Sequence, residues 1–291
     1  MAQGDTDVRL YWFPTWRCQN YAPDGSGVNP KCPYCNLGVR DGRLTVAGVA
    51  GSSTTLMAID ALLTFCRRNA EHFGRYVVLS GGEPWAHPTL EQYLAALTRE
   101  GWRWAITSNT TLTARIQKAA EHMGGFGTCD AWTASYHPHS GSLEKFREGV
   151  RIVRGAGVGN MACTVVIDKH TIERWQEHMN AVADLGWQRL QVQVDMNEAD
   201  LEQRRRNIEA IHGVHVAHDG YFAQGVMCDQ TGKHLVVAPN GTIYHCLTKA
   251  YQGIEPIGHA TAFDFGSLET RVAWCGLYCS LPCDIVKHVK G

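Results

Sequence analysis

Three cysteines stand close together near the start of the chain, in RCQNYAPDGSGVNPKCPYCNLG: Cys18, Cys32 and Cys35. Three thiolates with a C-x2-C pair make a metal chelate. The short pair holds two sulfurs on one turn, and Cys18 closes a loop whose entropy cost rises only logarithmically with length. Relative to a three-residue spacer, the 13 residues between Cys18 and Cys32 add on the order of 1 to 1.5 kcal/mol, small beside metal–thiolate binding of roughly 10 kcal/mol. A structural zinc would want a fourth thiolate or imidazole. No fourth cysteine lies nearby, and the first histidine is His72. Three ligands leave one metal position open for a substrate or cosubstrate, which is the arrangement of a catalytic cluster.

A second group of cysteines lies toward the other end. Cys228 is followed by twelve residues, Gly241, four residues and Cys246, and then by Cys275, Cys279 and Cys283. Residues 234–238 and 242–245 read as strands around a Pro239-Asn240-Gly241 turn, a hairpin with a thiolate at each foot. One closed cluster needs four thiolates, and five are present here. Cys228 and Cys246 with two of the tail three, Cys279 and Cys283 preferred, form the expected set; a zinc ion on the same ligands is the alternative. Cys66, Cys129 and Cys163 fall within apolar patterns and read as small core residues.

Between the two groups lies VVLSGGEPWAHP. The pair Gly81 and Gly82 lets backbone groups approach a ligand closely, and Glu83 can accept from an ammonium. By itself the run Gly81-Gly82-Glu83-Pro84 reads equally well as a turn from strand to loop. Polar residues recur at later strand ends: Thr107, Ser108 and Asn109, then Ser135, then Tyr136, His137 and His139 in SYHPHSG, where loop hydrogen bonding is the plainer reading of the histidines. Asp168, His170, Asp195 and Asp229, near strand ends or the second cysteine group, are candidates for a proton acceptor.

Repeated βα units are what would position these residues. Short, mostly apolar runs at 8–13, 76–79, 102–107, 131–135, 161–167 and 190–194 read as strands buried on both faces. Between them, Leu90, Tyr93, Leu94 and Leu97, or Leu143, Phe146, Val150 and Val153, repeat at helical spacing. Thr89 with Gln92 fits a capping box. Ile172, Trp175, Met179, Val182 and Leu185 mark another helix, and 199–212 a further one. Six βα units are too few for an eight-stranded barrel, so the expected fold is α/β, a partial (β/α)6 TIM-like barrel with ligands at the strand C-terminal ends. A small C-terminal β-hairpin and helix extension for cluster binding follows, with domains at 1–212 and 213–291.

In this frame the motifs resemble the radical S-adenosylmethionine superfamily, whose pattern after the first strand is C-x3-C-x-aromatic-C. Cys18, Cys32, Tyr34 and Cys35 match it with ten extra residues inserted, and the Gly81-Gly82-Glu83-Pro84 run matches the family's GGEP motif. The resemblance implies a [4Fe-4S] cluster on the three cysteines, its fourth iron chelating the methionyl amine and carboxylate of S-adenosyl-L-methionine, with Tyr34 by the adenine. It places Ser108 and Asn109 at a rim where relatives carry Thr-Asn-Gly, Ser135 by the ribose, and Val166 and Ile167 along the adenine or in the core. The hairpin and its cysteines resemble the twitch domain, the shortened relative of the SPASM domain, implying a second [4Fe-4S] auxiliary cluster. The chemistry implied is reductive cleavage to a 5'-deoxyadenosyl radical that abstracts a hydrogen atom. Return of an electron to the auxiliary cluster makes this a net two-electron oxidation such as dehydrogenation, cyclisation or crosslinking. A reductant such as flavodoxin or ferredoxin is the implied partner.

Bulk properties agree with an ordinary folded protein. Hydrophobic residues at 44% against 19% charged describe a packed chain, and 27 basic against 28 acidic residues leave no field for nucleic acid. Arg204, Arg205 and Arg206 read as a solvated helix face. No window approaches a membrane span, and the start MAQGDTDVRLYW lacks the pattern of a secretion signal, so a cytoplasmic location with reduced thiols is expected. Nothing resembles the winged-helix peptide-binding domain of peptide-modifying relatives. A small molecule such as a sugar, cyclitol or glycan precursor is therefore the favoured substrate, with a peptide or protein side chain as the alternative and a zinc-stapled binding protein as the contrary reading.

Overall fold

The computed structural model describes residues 8–15, 39–40, 43–44, 56–139, 141–167, 171–194, 226–228, 234–263, 265 and 273–275. Its strands, in chain order, are β1 (Arg9–Trp12), the two-residue pair β2 (Val39–Arg40) and β3 (Arg43–Leu44), β4 (Tyr76–Leu79), β5 (Arg103–Ser108), β6 (Cys129–Tyr136), β7 (Met161–Ile167) and β8 (Arg189–Val194). Then come β9 (Val226–Cys228), β10 (His234–Val237), β11 (Thr242–Tyr244), β12 (Gly258–His259) and β13 (Ala273–Cys275). The helices are α1 (Ile59–Arg68), α2 (Ala70–Phe73), α3 (Leu90–Arg99), α4 (Thr113–Met123), α5 (Leu143–Gly155), α6 (Trp175–Ala183) and α7 (Leu247–Gln252).

The six strands expected for the barrel are present, and they join one nine-stranded sheet in the order β12-β11-β10-β1-β4-β5-β6-β7-β8. From β10 to β8 every neighbouring pair is parallel. This is an α/β fold with a mostly parallel sheet, of the partial TIM-like barrel type. The hairpin does not pack onto the sheet as an appended unit. Strand β10 pairs in parallel with β1, Leu10 opposite Leu235 and Trp12 opposite Val237, and β11 and β12 continue the sheet antiparallel. Four buried residues in β10 explain this, because a strand apolar on both faces gains most inside a sheet. The expected boundary between residues 212 and 213, and the helix at 199–212, lie outside the described residues.

Helices cover one face. Leu10, Trp12, Leu79, Trp104, Ile106, Trp132, Met161 and Cys163 point there and join the core with Leu62, Leu94, Phe126, Phe146 and Val150. Helix α5 starts where Ser142 Oγ accepts from Lys145 N at 3.3 Å. Two local expectations change. Thr89 makes no side-chain cap on α3; its N–H donates instead to His87 Nδ1 at 3.2 Å, an imidazole two residues back outcompeting the capping box. The helix through Ile172 opens as a 3-10 turn (Ile172–Arg174) before α6 begins. Among the described residues no helix is long and apolar enough to cross a membrane.

Candidate active site

At the C-terminal end of β4 the chain turns through Gly81 at φ +107°, a region that only glycine enters without strain. A Cβ there would stand 3.0 Å from Phe13 Cβ and 3.1 Å from Thr15 O. Gly82 N donates to Thr15 O at 3.1 Å, and one strand level earlier Ser80 N donates to Trp12 O at 3.1 Å. The diglycine turn therefore packs against the segment leaving β1, three residues before Cys18. Cys18, Cys32, Tyr34 and Cys35 themselves lie outside the described residues.

Glu83 is buried at 2% exposure. Its Oε1 accepts from Trp85 N at 3.2 Å and Ser108 Oγ at 2.8 Å, and its Oε2 accepts from Asn109 N at 2.8 Å. Burial pushes its carboxyl up to about 7, against the pull of these three donors, which favour the charged form. The carboxylate expected to meet an ammonium also ties the ends of β4 and β5 together, and its Oε2, with one donor, keeps acceptor capacity. Pro84 opens a 3-10 turn (Pro84–Ala86) directly after it.

The rim after β5 is a tight polar turn. Ser108 Oγ accepts from Thr110 N at 2.9 Å, and Asn109 Oδ1 accepts from Thr111 N at 3.1 Å and Thr111 Oγ1 at 2.8 Å. The amide oxygen of Asn109 is consumed by its own turn, which orients its NH2 group. Thr110 adopts φ +60°, uncommon for a β-branched residue. It is held by Trp132 Nε1, which donates to Thr110 Oγ1 at 3.1 Å, and by α5, where a Cβ on Gly149 would lie 1.9 Å from Thr110 O. Neither Thr110 nor Gly149 was singled out by sequence reasoning, because the signal is a contact between segments 39 residues apart.

Ser135 stands on the face of β6 away from the described helices, in register with Thr164. Tyr136, next along the strand, points the other way and packs on Phe146 with ring centroids 5.1 Å apart. Val166 and Ile167 separate likewise: Val166 shares the face of Ser135, whereas Ile167 belongs to the core under the helices. Only Val166 can face a ligand in the barrel, since side chains alternate along a strand. Burial pushes the His137 imidazole down to about 4, so it is neutral at the rim near pH 7.

Cys246 sits at the opposite end. Strand β11 runs antiparallel to β10 with Tyr244 opposite Val236, which brings Cys246 level with His234, itself opposite Arg9 at the start of β1. The rise along β1 separates that level from the diglycine turn by roughly 16 Å, too far for one shared cluster. Its sulfur, half-buried, accepts from Lys249 N at 3.5 Å at the start of α7. Cys228 and Cys275 lie on a separate antiparallel ribbon, Cys228 opposite Ala273 and Cys275 opposite Val226. Cys279, Cys283, Asp168, His170, Asp195 and Asp229 are outside the described residues. Cys66, Cys129 and Cys163 are buried free thiols as expected, and burial pushes the Cys163 thiol up to about 12.

No protein-family model matches the sequence, and no curated protein does. Solved structures do. The structure of anSMEcpe with bound S-adenosylmethionine aligns with a TM-score of 0.56 at 14% identity, covering 87% of this chain and 79% of that one. SuiB from Streptococcus suis, bound to its precursor peptide SuiA, aligns at 0.44 and 13% identity over 88% of this chain. Coproporphyrinogen III oxidase (HemN) from Escherichia coli, described as a radical SAM enzyme, aligns at 0.43 and 13% identity, covering 85% of this chain and 69% of that one. The chain spans 63 to 66% of the length of SuiB. The likeness to anSMEcpe establishes a shared fold.

Proposed function

We propose that this chain is a radical S-adenosylmethionine enzyme that abstracts a hydrogen atom from a substrate C–H bond and completes a net two-electron oxidation. The observation that carries the reading is the contact between the diglycine turn and the segment entering the cysteine loop, with Gly81 leaving no room for a Cβ. A bare backbone turn packed on the segment three residues ahead of Cys18, in a chain with three closely spaced soft thiolates, suits a [4Fe-4S] cluster and the amino-acid end of S-adenosylmethionine. The shared fold with anSMEcpe, whose structure holds S-adenosylmethionine, agrees.

Cys18, Cys32 and Cys35 would hold the cluster, and the backbone at Gly81 and Gly82 would face the cosubstrate. Together the bound pair would supply one-electron cleavage of the sulfonium to methionine and a 5'-deoxyadenosyl radical. Glu83 positions the Ser108-Asn109 rim through its three hydrogen bonds, and Asn109 offers its NH2 group there. Ser135 presents a hydroxyl within the barrel. Oxidation also requires one further electron and one proton to leave the substrate. Cys246 and Cys228, with partners from Cys275, Cys279 and Cys283, would hold an auxiliary [4Fe-4S] cluster at the other end of the barrel to accept that electron. Asp168, His170, Asp195 and Asp229 are the candidate proton acceptors. The register that sets Cys275 beside the strand of Cys228 favours its inclusion.

A peptide substrate is the second reading, supported by the anSMEcpe structure that holds the Kp18Cys peptide with S-adenosylmethionine. Anaerobic reconstitution followed by iron and sulfide analysis, absorbance, and 5'-deoxyadenosine formation under dithionite tests the enzyme reading. Cys18→Ala is expected to abolish cosubstrate cleavage, and Cys246→Ala to retain cleavage while losing substrate oxidation. Colourless protein carrying stoichiometric zinc would overturn the proposal in favour of a zinc-stapled binding protein.

A further inference from the structure

The two faces of the same strands carry opposite chemistry. Toward the helices, β5 to β7 present Trp104, Ile106, Trp132, Met161 and Val165, all buried. Toward the inside of the barrel the same strands present Ala105, Thr107, Ala131, Thr133, Ser135, Ala162 and Thr164. A closed barrel fills its interior with bulky branched residues; here Val166, at the mouth end of β7, shares the face, and the positions below it carry small alanine and hydroxyl side chains that supply hydrogen-bonding groups.

Those groups are in register. Thr107 is opposite Thr133, and Ser135 is opposite Thr164, which is opposite Gln191. Among the described residues the hydroxyls of Thr107, Thr133 and Ser135, all half-buried, bond to no protein group. Thr164 is only 4% exposed, and its Oγ1 accepts from Gln191 Nε2 at 3.0 Å. That bond leaves the Thr164 hydroxyl proton and the Gln191 carbonyl oxygen for a ligand. Adjacent strands stand about 4.8 Å apart, the scale on which hydroxyls on alternate carbons of a six-membered ring are spaced.

Charge is confined to the floor. The charged residues of β5 to β8 and β1 occupy first or second strand positions: Arg9, Arg103, Asp130 and Arg189. Arg103 is tied to Asp130. Above that level the described inward side chains are neutral. A phosphate or carboxylate placed among them would lose its hydration without gaining a counter-charge, whereas a neutral polyol exchanges water for paired hydroxyls.

We infer that the barrel interior selects an uncharged, hydroxyl-rich small molecule, and that Thr107, Thr133, Thr164 and Gln191 are its specificity-determining residues. The inference rests on the reading of the barrel mouth as the site of hydrogen abstraction, and it assigns the substrate class that this site takes. Saturation-transfer NMR on the reconstituted full chain tests it. The neutral probes are methyl β-glucoside, maltose and myo-inositol; glucose 6-phosphate and gluconate are the anionic counterparts, and an acetylated Gly-Gly-Ser amide stands for a peptide. At least one neutral probe is expected to bind and the anions not to bind. Thr133→Val, which keeps the side-chain volume, is expected to weaken that probe about two- to tenfold. Ala131→Leu, which fills the space, is expected to abolish its binding, with both variants retaining the wild-type circular dichroism. Binding of only anionic or peptide probes, binding of none, or wild-type affinity in both variants overturns the inference. A chain that cleaves S-adenosylmethionine yet binds no neutral probe loses this inference alone; one that binds the probe but holds no iron loses the radical reading alone.

Discussion

Gly81→Ala is the most direct probe of the diglycine turn packed on the segment that leaves β1. An alanine at φ +107° enters backbone space that costs an L-residue about 1 to 3 kcal/mol. Its methyl would also meet Phe13 Cβ at 3.0 Å, Phe13 Cγ at 3.1 Å and Thr15 O at 3.1 Å. Phe13 is fully buried, so it cannot swing away, and displacement of Thr15 O stretches the bond from Gly82 N. Strain and overpacking together are expected to cost about 2 to 4 kcal/mol. For a chain of this size that lowers the thermal midpoint by about 5 to 15 °C. Because Thr15 stands three residues before Cys18, the same displacement should weaken S-adenosylmethionine binding at least tenfold while iron content stays near wild type. Differential scanning calorimetry and equilibrium dialysis with labelled cosubstrate measure the two effects. A variant with unchanged midpoint and unchanged affinity would refute the argument, since the glycine would then be neither strained nor adjacent to the ligand.

Other expectations follow from the buried network behind that turn. Glu83 keeps a proton in the folded chain up to about 7, whereas the unfolded chain releases it near 4.5. The folded state therefore binds the extra proton between those values, and stability should fall as pH rises through that window by up to about 1.4 kcal/mol per unit. Glu83→Gln, which does not titrate, should flatten this slope in urea titrations from pH 4.5 to 8; an identical slope in the variant would show that another group is responsible. Gly149→Ala would drive a methyl to within 1.9 Å of Thr110 O, so despite better helix propensity it is expected to lose about 3 kcal/mol or more. Chemical denaturation checks this, and a neutral or stabilised variant would show that α5 can shift without penalty.

Much of the scaffold was legible because parallel strands buried on both faces announce themselves as short apolar runs: those at 76–79 and 161–167 match β4 and β7 in the structure. The hairpin was legible from its Pro-Asn-Gly turn, but not its parallel pairing with β1. Two strands separated by more than 200 residues carry no local signal of adjacency. Thr89 misled for a related reason: a capping box is a local pattern, and His87, fixed among Trp12 and Tyr93 by aromatic contacts, supplied a competing acceptor.

The residue types by themselves determined the candidate chemistry, because a trio of thiolates and a diglycine turn limit which ligands can bind and how closely a backbone can approach. Tertiary structure alone decided which partners those residues keep. It made Glu83 a buried tie between strands, held Thr110 in a left-handed turn against Gly149, and put Cys246 at the far end of the sheet from the diglycine turn. Such pairings depend on strand register and helix docking, which arise from packing the whole sheet and are not encoded by any one segment.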